Sequence, residues 1–190
     1  MTKEDIIKLP NPTLRQRSTR IGIINKDTKK LANDMILSVI DWENSRNHEL
    51  GVALAAVQVN KLFRVVVVRN SFDDKTDLTF RVFINPEITK YEGEEIEDYE
   101  GCLSVPDIYG KVKRFSKIRL KALDLDGNNI KITLEGFIAR ILQHEIDHTN
   151  GKLFIDYIKN SKKAFYKLTE TGELEQLNYD KDIKINSILW

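Results

Sequence analysis

Residues 144–148 restrict the fold of this chain more than any other segment. They read HEIDH, and the four-residue spacing puts the imidazoles of His144 and His148 on one face of a helix, where they can bind one divalent metal. Ile141 and Leu142 precede them at helical spacing, which predicts that the helix is buried. Because an unpaired polar cluster in a buried helix is unfavourable, a metal site is favoured over a solvated helix with two incidental histidines.

A hydrolytic metal site also needs a third protein ligand, a position for water and a group that moves protons. Glu145 lies beside the histidines, where a carboxylate can accept a proton from the attacking water. No histidine follows His148, and His48 lies in a polar stretch that is predicted to be on the surface. Cys102, the one cysteine, is the candidate soft ligand, although a lone cysteine is more often a buried structural residue.

The composition is that of one ordinary domain that folds around its own core. Of 190 residues, 41% are hydrophobic, and 30 basic against 29 acidic residues leave a formal net charge of +1. This balance gives no overall field that would attract nucleic acid or an anionic membrane. No run approaches the roughly 20 apolar residues of a membrane span, no secretory signal is recognised, and one cysteine suits a reducing compartment. We expect a cytoplasmic protein without a membrane partner or a stable nucleic-acid complex.

The periodicity of apolar residues predicts both helices and strands. A first helix is predicted from about residue 27, and four successive valines predict a strand that is buried on both faces. Pro86 is expected to end a second strand, the acidic residues 92–100 are expected to lie on the surface, and residues 126–127 are expected to form a tight hairpin turn. The predicted strands cover residues 64–69, 78–85, 111–115, 118–125 and 129–134, and the second helix covers residues 135–148.

The last part of the chain has the weakest pattern. Residues 161–190 begin with lysines and become mixed in charge, and residues 182–190 alternate weakly, as an edge strand or a docked tail would. We therefore predict a main domain over residues 1–165 and a C-terminal extension over residues 166–190.

Three sequence blocks together resemble the peptide deformylases. They are GVALAAVQ at residues 51–58, EGCLS at residues 100–104 and HEIDH at residues 144–148, in the order of that family and at fitting separations. The resemblance extends over roughly residues 5–160, including PNPTLR and GKLFID near its two ends. It implies an α+β fold in which antiparallel or mixed β-sheets pack around a central metal-binding helix. It also implies a metal-dependent amidohydrolase that removes the formyl group from the N-terminal methionine of nascent proteins.

The resemblance further implies a metal centre with one proton-transfer residue. Cys102, His144 and His148 would be the metal ligands, and Glu145 would be the general acid and base. The family implies Fe²⁺ as the ion, with Zn²⁺, Ni²⁺ or Co²⁺ able to occupy the site. The substrates would be N-formylmethionyl peptides, and formate would be a product.

The substrate would be held by groups around this centre. By the resemblance, the Gln58 amide and the backbone N–H of Leu103 form the oxyanion hole, and a tight fit between them selects formyl over the larger acetyl group. Candidates for a methionine pocket are Val52, Phe137 and Ile141. The peptide backbone of the substrate could pair with the extended segments near Ala53 and Gly101, and Arg140 is expected close to the pocket mouth. Ala53 departs from the family, which usually has a glycine at this position.

Two other functions are compatible with the residues alone. One is a zinc endopeptidase or aminopeptidase that uses the same helix, and the other is a binding module, for instance on the ribosome, in which the metal is structural. The lysines within residues 159–167 could touch ribosomal RNA, although a solvated helix face is the alternative. Glu100 and Arg114 could form an ion pair that orients the cysteine loop, or both could be solvated charges.

Overall fold

The computed structural model describes residues 1–46, 49–169, 171–185 and 189. Over these residues the chain forms three α-helices and a seven-stranded sheet in which every ladder is antiparallel. The strand order is β1-β2-β3-β4-β6-β7, and β5 pairs with β4 outside this path. The helices are α1 (Lys26–Asn44), α2 (Phe137–Thr149) and α3 (Ile155–Ile158), and the strands are β1 (Ala53–Ala55), β2 (Val65–Arg69), β3 (Phe80–Cys102), β4 (Val105–Leu123), β5 (Asn129–Glu135), β6 (Phe165–Leu168) and β7 (Leu174–Gln176). The predicted α+β fold around the helix that carries HEIDH is confirmed.

Helix α1 forms where the sequence predicts it. The Asn25 side chain caps this helix by accepting a hydrogen bond from the Thr28 backbone N–H at 3.0 Å. The buried face of α1 includes Met35 and Val39, which pack against one side of the sheet. The helix therefore covers one of the two faces of β2.

Strand β2 lies at the centre of the core. All five of its residues are buried, which confirms the prediction from the successive valines. Val65 and Val67 belong to the apolar cluster that includes α1, and Val66 and Val68 belong to the cluster that includes α2. Since side chains alternate along a strand, this short segment contributes to both halves of the core. Burial of one such valine stabilises the fold by roughly 1.5–3 kcal/mol.

The prediction that Pro86 ends a strand is wrong. Strand β3 continues through this residue, and its register against β4 shifts between Ile84 and Glu87. Asn85 in this irregular stretch has a φ of 52°. A bulge accommodates a proline because the residues within it need not donate to the ladder, so β3 continues beyond it.

The acidic segment of residues 92–100 is part of β3 and pairs with β4. The prediction that it lies on the surface holds for most of its side chains, but it is wrong for Glu100, which is 6% exposed. Two separately predicted strands, at residues 111–115 and 118–125, fall in or overlap the single strand β4. The predicted hairpin turn is confirmed between β4 and β5, where Gly127 has a φ of 85°.

Helix α2 ends at the predicted stop. Asn150 follows its last residue, and Gly151 has a φ of 74°. A side chain at Gly151 would place its Cβ 2.4 Å from the backbone oxygen of Arg15. The glycine therefore allows the chain to turn away from α2 and to pass close to the N-terminal segment.

The C-terminal part adds β6 and β7 to the sheet, since β6 pairs with β4 and β7 pairs with β6. The sequence allows an edge strand over residues 182–190, but residues 182–185 do not form one. A π-helical turn covers Tyr179–Ile183, and a turn follows it. Residues 186–188 and 190 lie outside the described residues. Ile183 and Leu189 are buried, as a docked tail would be. The division of the chain at residue 165 stays a prediction, and none of the described helices is long and apolar enough to cross a membrane.

Candidate metal centre

The two histidines of α2 lie on the same buried face of the helix. His144 is 8% exposed and His148 is fully buried. Their Nε2 atoms are 3.1 Å apart, and their rings are inclined at 70° to each other. The spacing of the motif therefore produces the paired imidazoles that the sequence predicts.

Cys102 approaches this pair from the end of β3. Its Sγ lies 3.2 Å from the Nε2 of His148, at the start of the turn that leads from β3 into β4. The sulfur and one ring nitrogen of each histidine all lie within 4.8 Å of one another. The structure thus brings together the three predicted ligands, whereas His48 lies outside the described residues.

These three donor atoms fit a single cation. Bonds of ~2.0–2.3 Å in a tetrahedral site would hold the ligand atoms roughly 3.3–3.6 Å apart, and the observed contacts of 3.1 and 3.2 Å are close to this range. One thiol and two imidazoles are ligands for Zn²⁺ or Fe²⁺, whereas Mg²⁺ and Ca²⁺ prefer oxygen atoms. The donor set therefore fits a transition metal or zinc.

Glu100 supports the first histidine from behind. Its carboxylate lies 3.0 Å from the Nδ1 of His144, and it accepts hydrogen bonds from the Nε and Nη2 of Arg114 at 2.9 and 3.0 Å. Arg140 donates a further bond from Nη1 at 2.8 Å. The predicted ion pair between Glu100 and Arg114 is confirmed, and the alternative of solvated charges is wrong because both side chains are buried. A hydrogen bond from Nδ1–H to Glu100 leaves Nε2 of His144 available as a ligand atom.

Charges in this network set the protonation of its members. Burial would raise the pKa of Glu100, but hydrogen bonds from His144 and Arg114 lower it to about 2. Burial would lower the pKa of His144, but hydrogen bonds with Cys102 and Glu100 raise it well above its ordinary value. Burial and the charge of His144 lower the pKa of His148 well below its ordinary value. The acidic groups that stabilise a charge on His144 would also stabilise a bound cation.

Glu145 lies next to the first histidine at the wall of a cavity. The residue is 5% exposed, and its Oε2 is buried without a hydrogen-bond partner among the described residues. Burial raises the pKa of Glu145 to about 7. A carboxyl group with such a pKa can accept and return a proton near neutral pH.

Gln58 presents its amide to the cysteine loop. Its Oε1 accepts a hydrogen bond from the Ala55 backbone N–H at 2.9 Å, which fixes the orientation of the amide. Its Nε2 lies 3.6 Å from the Sγ of Cys102 and 3.2 Å from the Oγ of Ser104. Leu103 lies in the turn between these two residues and also lines the cavity. The two predicted oxyanion groups are therefore on the wall that carries the cysteine.

The cavity in front of the centre has a volume of about 420 Å³. All of the predicted substrate-binding residues line it: Val52, Ala53, Gly101, Phe137, Arg140 and Ile141. Of the predicted catalytic and metal-binding residues, His148 alone is not among the lining residues, because it lies deeper. An apolar part of the wall is thus continuous with the polar groups of the centre, as in most sites for small ligands.

Arg140 is oriented towards Glu100 and away from bulk solvent. It is 6% exposed, and its guanidinium donates to Glu100 and to the backbone oxygens of Val112 and Ile96 at 2.9 and 2.6 Å. The sequence predicts a position close to the pocket mouth for this residue. The residue lines the cavity, but its charged group is engaged by the network behind His144.

Sequence reasoning missed several residues of the cavity wall. Phe72 lies in the segment of residues 71–77, which reads as a polar turn, yet its ring packs edge-on against Phe137 with centroids 5.1 Å apart. At another part of the wall, the hydroxyl group of Tyr109 hydrogen-bonds to Glu49. The one feature of the sequence that could have indicated this part of the wall is Phe72, a single phenylalanine within a run of polar residues.

A cysteine and two histidines that converge beside a buried carboxyl group define the class of metal-dependent hydrolases. A family model described as Polypeptide deformylase matches residues 3–164, so the chain belongs to the polypeptide deformylase family. The peptide deformylase of Psychrobacter arcticus is 40% identical over 159 residues, which are 84% of this chain and 81% of that protein. The peptide deformylase of Mesorhizobium japonicum is 40% identical over 163 residues, which are 86% of this chain and 88% of that protein.

Solved structures of this family have the same fold. A peptide deformylase from Legionella pneumophila superposes with a TM-score of 0.70 at 41% identity, over 80% of this chain and 83% of that chain. A peptide deformylase from Synechococcus elongatus, in complex with actinonin, superposes with a TM-score of 0.72 at 30% identity, over 82% of this chain and 80% of that chain. These comparisons confirm the resemblance to the peptide deformylases that the three sequence blocks indicate. The chain is a hydrolase that removes the N-formyl group from nascent peptides with a divalent metal, and the peptidase and binding-module alternatives are not favoured.

Proposed function

We propose that this chain removes the formyl group from N-formylmethionyl peptides at a ferrous centre that Cys102, His144 and His148 hold, with Glu145 as the proton-transfer residue. The observation that carries the proposal is the convergence of one sulfur and two imidazoles within 4.8 Å, beside a buried carboxyl group at the wall of the same cavity. A divalent cation bound there supplies a Lewis acid that lowers the pKa of water and polarises a carbonyl group. The donor set suits Fe²⁺, and Zn²⁺, Ni²⁺ and Co²⁺ are the alternative ions.

Glu145 takes the proton of the attacking water and returns it to the departing amine. Burial raises the pKa of this carboxyl group, which makes it a stronger base than an exposed glutamate and favours uptake of the proton. Its Oε2 has no hydrogen-bond partner among the described residues, so the group has an acceptor available for this proton. Formate and a peptide with a free N-terminus are the products.

Gln58 and the backbone N–H of Leu103 stabilise the oxygen of the formyl group as it gains negative charge. The amide of Gln58 is held in place by the Ala55 N–H, so its Nε2 donors are oriented before the substrate arrives. One such preoriented donor is worth about 3 kcal/mol of transition-state stabilisation. A tight fit of the formyl group between these two groups would exclude larger acyl groups.

The methionine side chain of the substrate binds against the apolar wall of the cavity, where Val52, Phe137 and Ile141 lie. Ala53 and Gly101 lie on the strands beside the centre, where an extended peptide can add backbone hydrogen bonds. Such contacts depend little on the substrate side chains that follow methionine, which suits an enzyme that acts on many nascent proteins.

The proposal is tested with protein that is purified under anaerobic conditions and assayed with formyl-Met-Ala-Ser. We expect one iron per chain and release of formate from the wild type, and we expect that Glu145→Gln retains the metal but loses formate release. Cleavage of internal peptide bonds without formate release would favour a metallopeptidase. Metal retention without any hydrolysis by the wild type would favour a binding module and would contradict the proposal.

Contact with the ribosome and a cytoplasmic location stay predictions. Of the lysines within residues 159–167, Lys162 and Lys167 lie 3.0 and 3.2 Å from the carboxylates of Asp180 and Glu175. These exposed pairs reduce the positive charge that the segment offers to RNA. Cosedimentation of the enzyme with translating ribosomes over a range of salt concentrations would test the contact.

A further inference from the structure

A second cavity, of about 440 Å³, lies apart from the metal centre and carries three arginines. It shares no lining residue with the first cavity, although Ile146 and Asn150 in its wall belong to α2 and its C-terminal cap. The arginines are Arg17, Arg20 and Arg64. None of them has a role in the proposed hydrolysis, so this concentration of positive charge needs a separate explanation.

Arg64 forms the inner part of this cluster. Its guanidinium is half-buried, with Nη1 donating to the Oδ1 of Asn150 at 2.9 Å and Nη2 donating to the backbone oxygen of Pro86 at 3.1 Å. These two bonds fix its orientation, and because a guanidinium has five N–H donors, others are available to a ligand. Burial, together with the charges of Arg20 and Arg17, lowers the pKa of Arg64. The positive charge at this position is therefore incompletely compensated.

The two outer arginines have little negative charge near them. Arg17 makes no hydrogen bond or ion pair with the described residues. Arg20 has one contact with a carboxylate, at 3.4 Å from the Oε2 of Glu87, and Glu87 also pairs with Lys121 at 3.0 Å. One carboxylate thus lies among three arginines and a lysine. An anion in the cavity would relieve the repulsion among these groups.

Ser18 gives a second indication of a polar ligand. The residue is 8% exposed and lines the cavity, and its Oγ is buried without a hydrogen-bond partner among the described residues. Its backbone N–H is already used, because it donates to the oxygen of Thr149 at 2.9 Å. Buried hydroxyl groups usually have a partner, so the Oγ of Ser18 leaves an unsatisfied polar group next to the cavity.

We propose that this arginine cavity binds a phosphate group. Three guanidinium groups and one carboxylate leave a positive balance that matches the charge of a phosphate, and guanidinium donors match its oxygen atoms. The group can come from free inorganic phosphate or from the backbone of a polynucleotide, and both present the same oxygens to Arg17, Arg20 and Arg64. A purely structural role explains Arg64, which holds the end of α2 through Asn150, but it does not explain Arg17 and Arg20, which are exposed.

The experiment is a titration of the zinc-loaded full chain with inorganic phosphate, at an ionic strength held constant with chloride. The readout is the NMR signal of the Arg64 Nε–H, because phosphate that binds at the metal centre does not contact this group. We expect a saturable shift of the signal in the wild type. In the double variant Arg17→Gln/Arg20→Gln, the dissociation constant should rise by about tenfold or more, since each lost charge-assisted bond has a large effect.

A matched control removes the same charge elsewhere. Arg81→Gln/Lys131→Gln also removes two positive charges, from exposed positions of β3 and β5 that do not line the cavity. This control should bind phosphate as the wild type does. The proposal is overturned if both double variants bind phosphate equally well.

A second titration distinguishes the source of the phosphate. A short single-stranded RNA replaces inorganic phosphate, with the same readout and the same variants. If RNA shifts the Arg64 signal at lower concentrations than phosphate and depends on Arg17 and Arg20, the cavity binds a polynucleotide backbone. If phosphate shifts the signal and RNA does not, the ligand is a free phosphate. A shift with neither probe refutes the site.

Discussion

Replacement of Glu100 by glutamine tests whether the network behind the metal centre stabilises it. The carboxylate of Glu100 accepts bonds from both Arg114 and Arg140 and lies against the Nδ1 of His144, and its side chain is 4% exposed. Glutamine keeps the shape of the side chain but removes its charge, and it replaces one acceptor oxygen with an amide donor. Glu100→Gln therefore leaves two buried guanidinium groups without their shared counter-charge.

The magnitude follows from the burial of these groups. Removal of one partner from a buried ion pair lowers stability by about 3–5 kcal/mol, because the remaining charge is left uncompensated. Arg114 retains its ion pair with Asp147, and Arg140 retains backbone oxygens, so we expect the lower end of this range, about 3 kcal/mol. Loss of a group that orients a metal ligand typically weakens metal binding by about 10–100-fold.

The assay is urea-induced unfolding of the zinc-loaded protein, with a parallel measurement of metal affinity by competition with a chelator. Glu97→Gln is the matched control, since Glu97 lies on the same strand with an exposed side chain. It should leave both quantities close to those of the wild type. If Glu100→Gln and Glu97→Gln changed the free energy of unfolding and the zinc affinity equally, the reasoning about the buried network would be refuted.

Three further predictions concern the cavity wall. Gln58→Ala should lower kcat by about a hundredfold or more with the metal retained, because one oxyanion donor is lost; a change confined to KM would contradict this role. Phe72→Ala should raise KM for formylmethionyl peptides by about tenfold, because the ring that packs against Phe137 in the proposed methionine pocket is lost; an unchanged KM would place this ring outside the pocket. Burial and a hydrogen bond to Glu49 raise the pKa of Tyr109, so the folded state keeps this proton where the unfolded state loses it. Its contribution to stability is therefore complete below pH about 10 and is lost as the pH rises above that value. Tyr109→Phe should therefore reduce the decline of the free energy of unfolding with pH, measured by urea titrations at alkaline pH. Equal declines for the wild type and the variant would show that the folded state does not hold this proton more tightly.

The parts of the site that are predictable from sequence are those fixed by local geometry. His144 and His148 lie on one face because four residues make about one helical turn, and β2 is buried on both faces because successive valines leave no polar side. Cys102 has no such local pattern. Its prediction as a ligand depends on the resemblance of EGCLS to a family, and the fold brings its sulfur to 3.2 Å from the Nε2 of His148.

The remainder could not be predicted because it depends on the pairing of distant strands. Pro86 reads as a strand terminus in isolation, but the ladder between β3 and β4 continues past it through a bulge and extends β3 to the cysteine. That extension makes Glu100 one of the last residues of a paired strand, where its side chain points at α2 and is buried, although its acidic neighbours are exposed.

The partners that other elements supply separate the structural from the solvated charges of one acidic run. Six of residues 92–100 are acidic, so the local composition alone does not show that Glu100 is buried and Glu97 is exposed. The distinction arises only when β4 delivers Arg114 and α2 delivers Arg140 to the same side of β3, because a buried carboxylate is stable only where such partners already converge. The carboxylate that orients His144 is therefore a product of the sheet register, whereas the histidine that it orients is a product of the helix period.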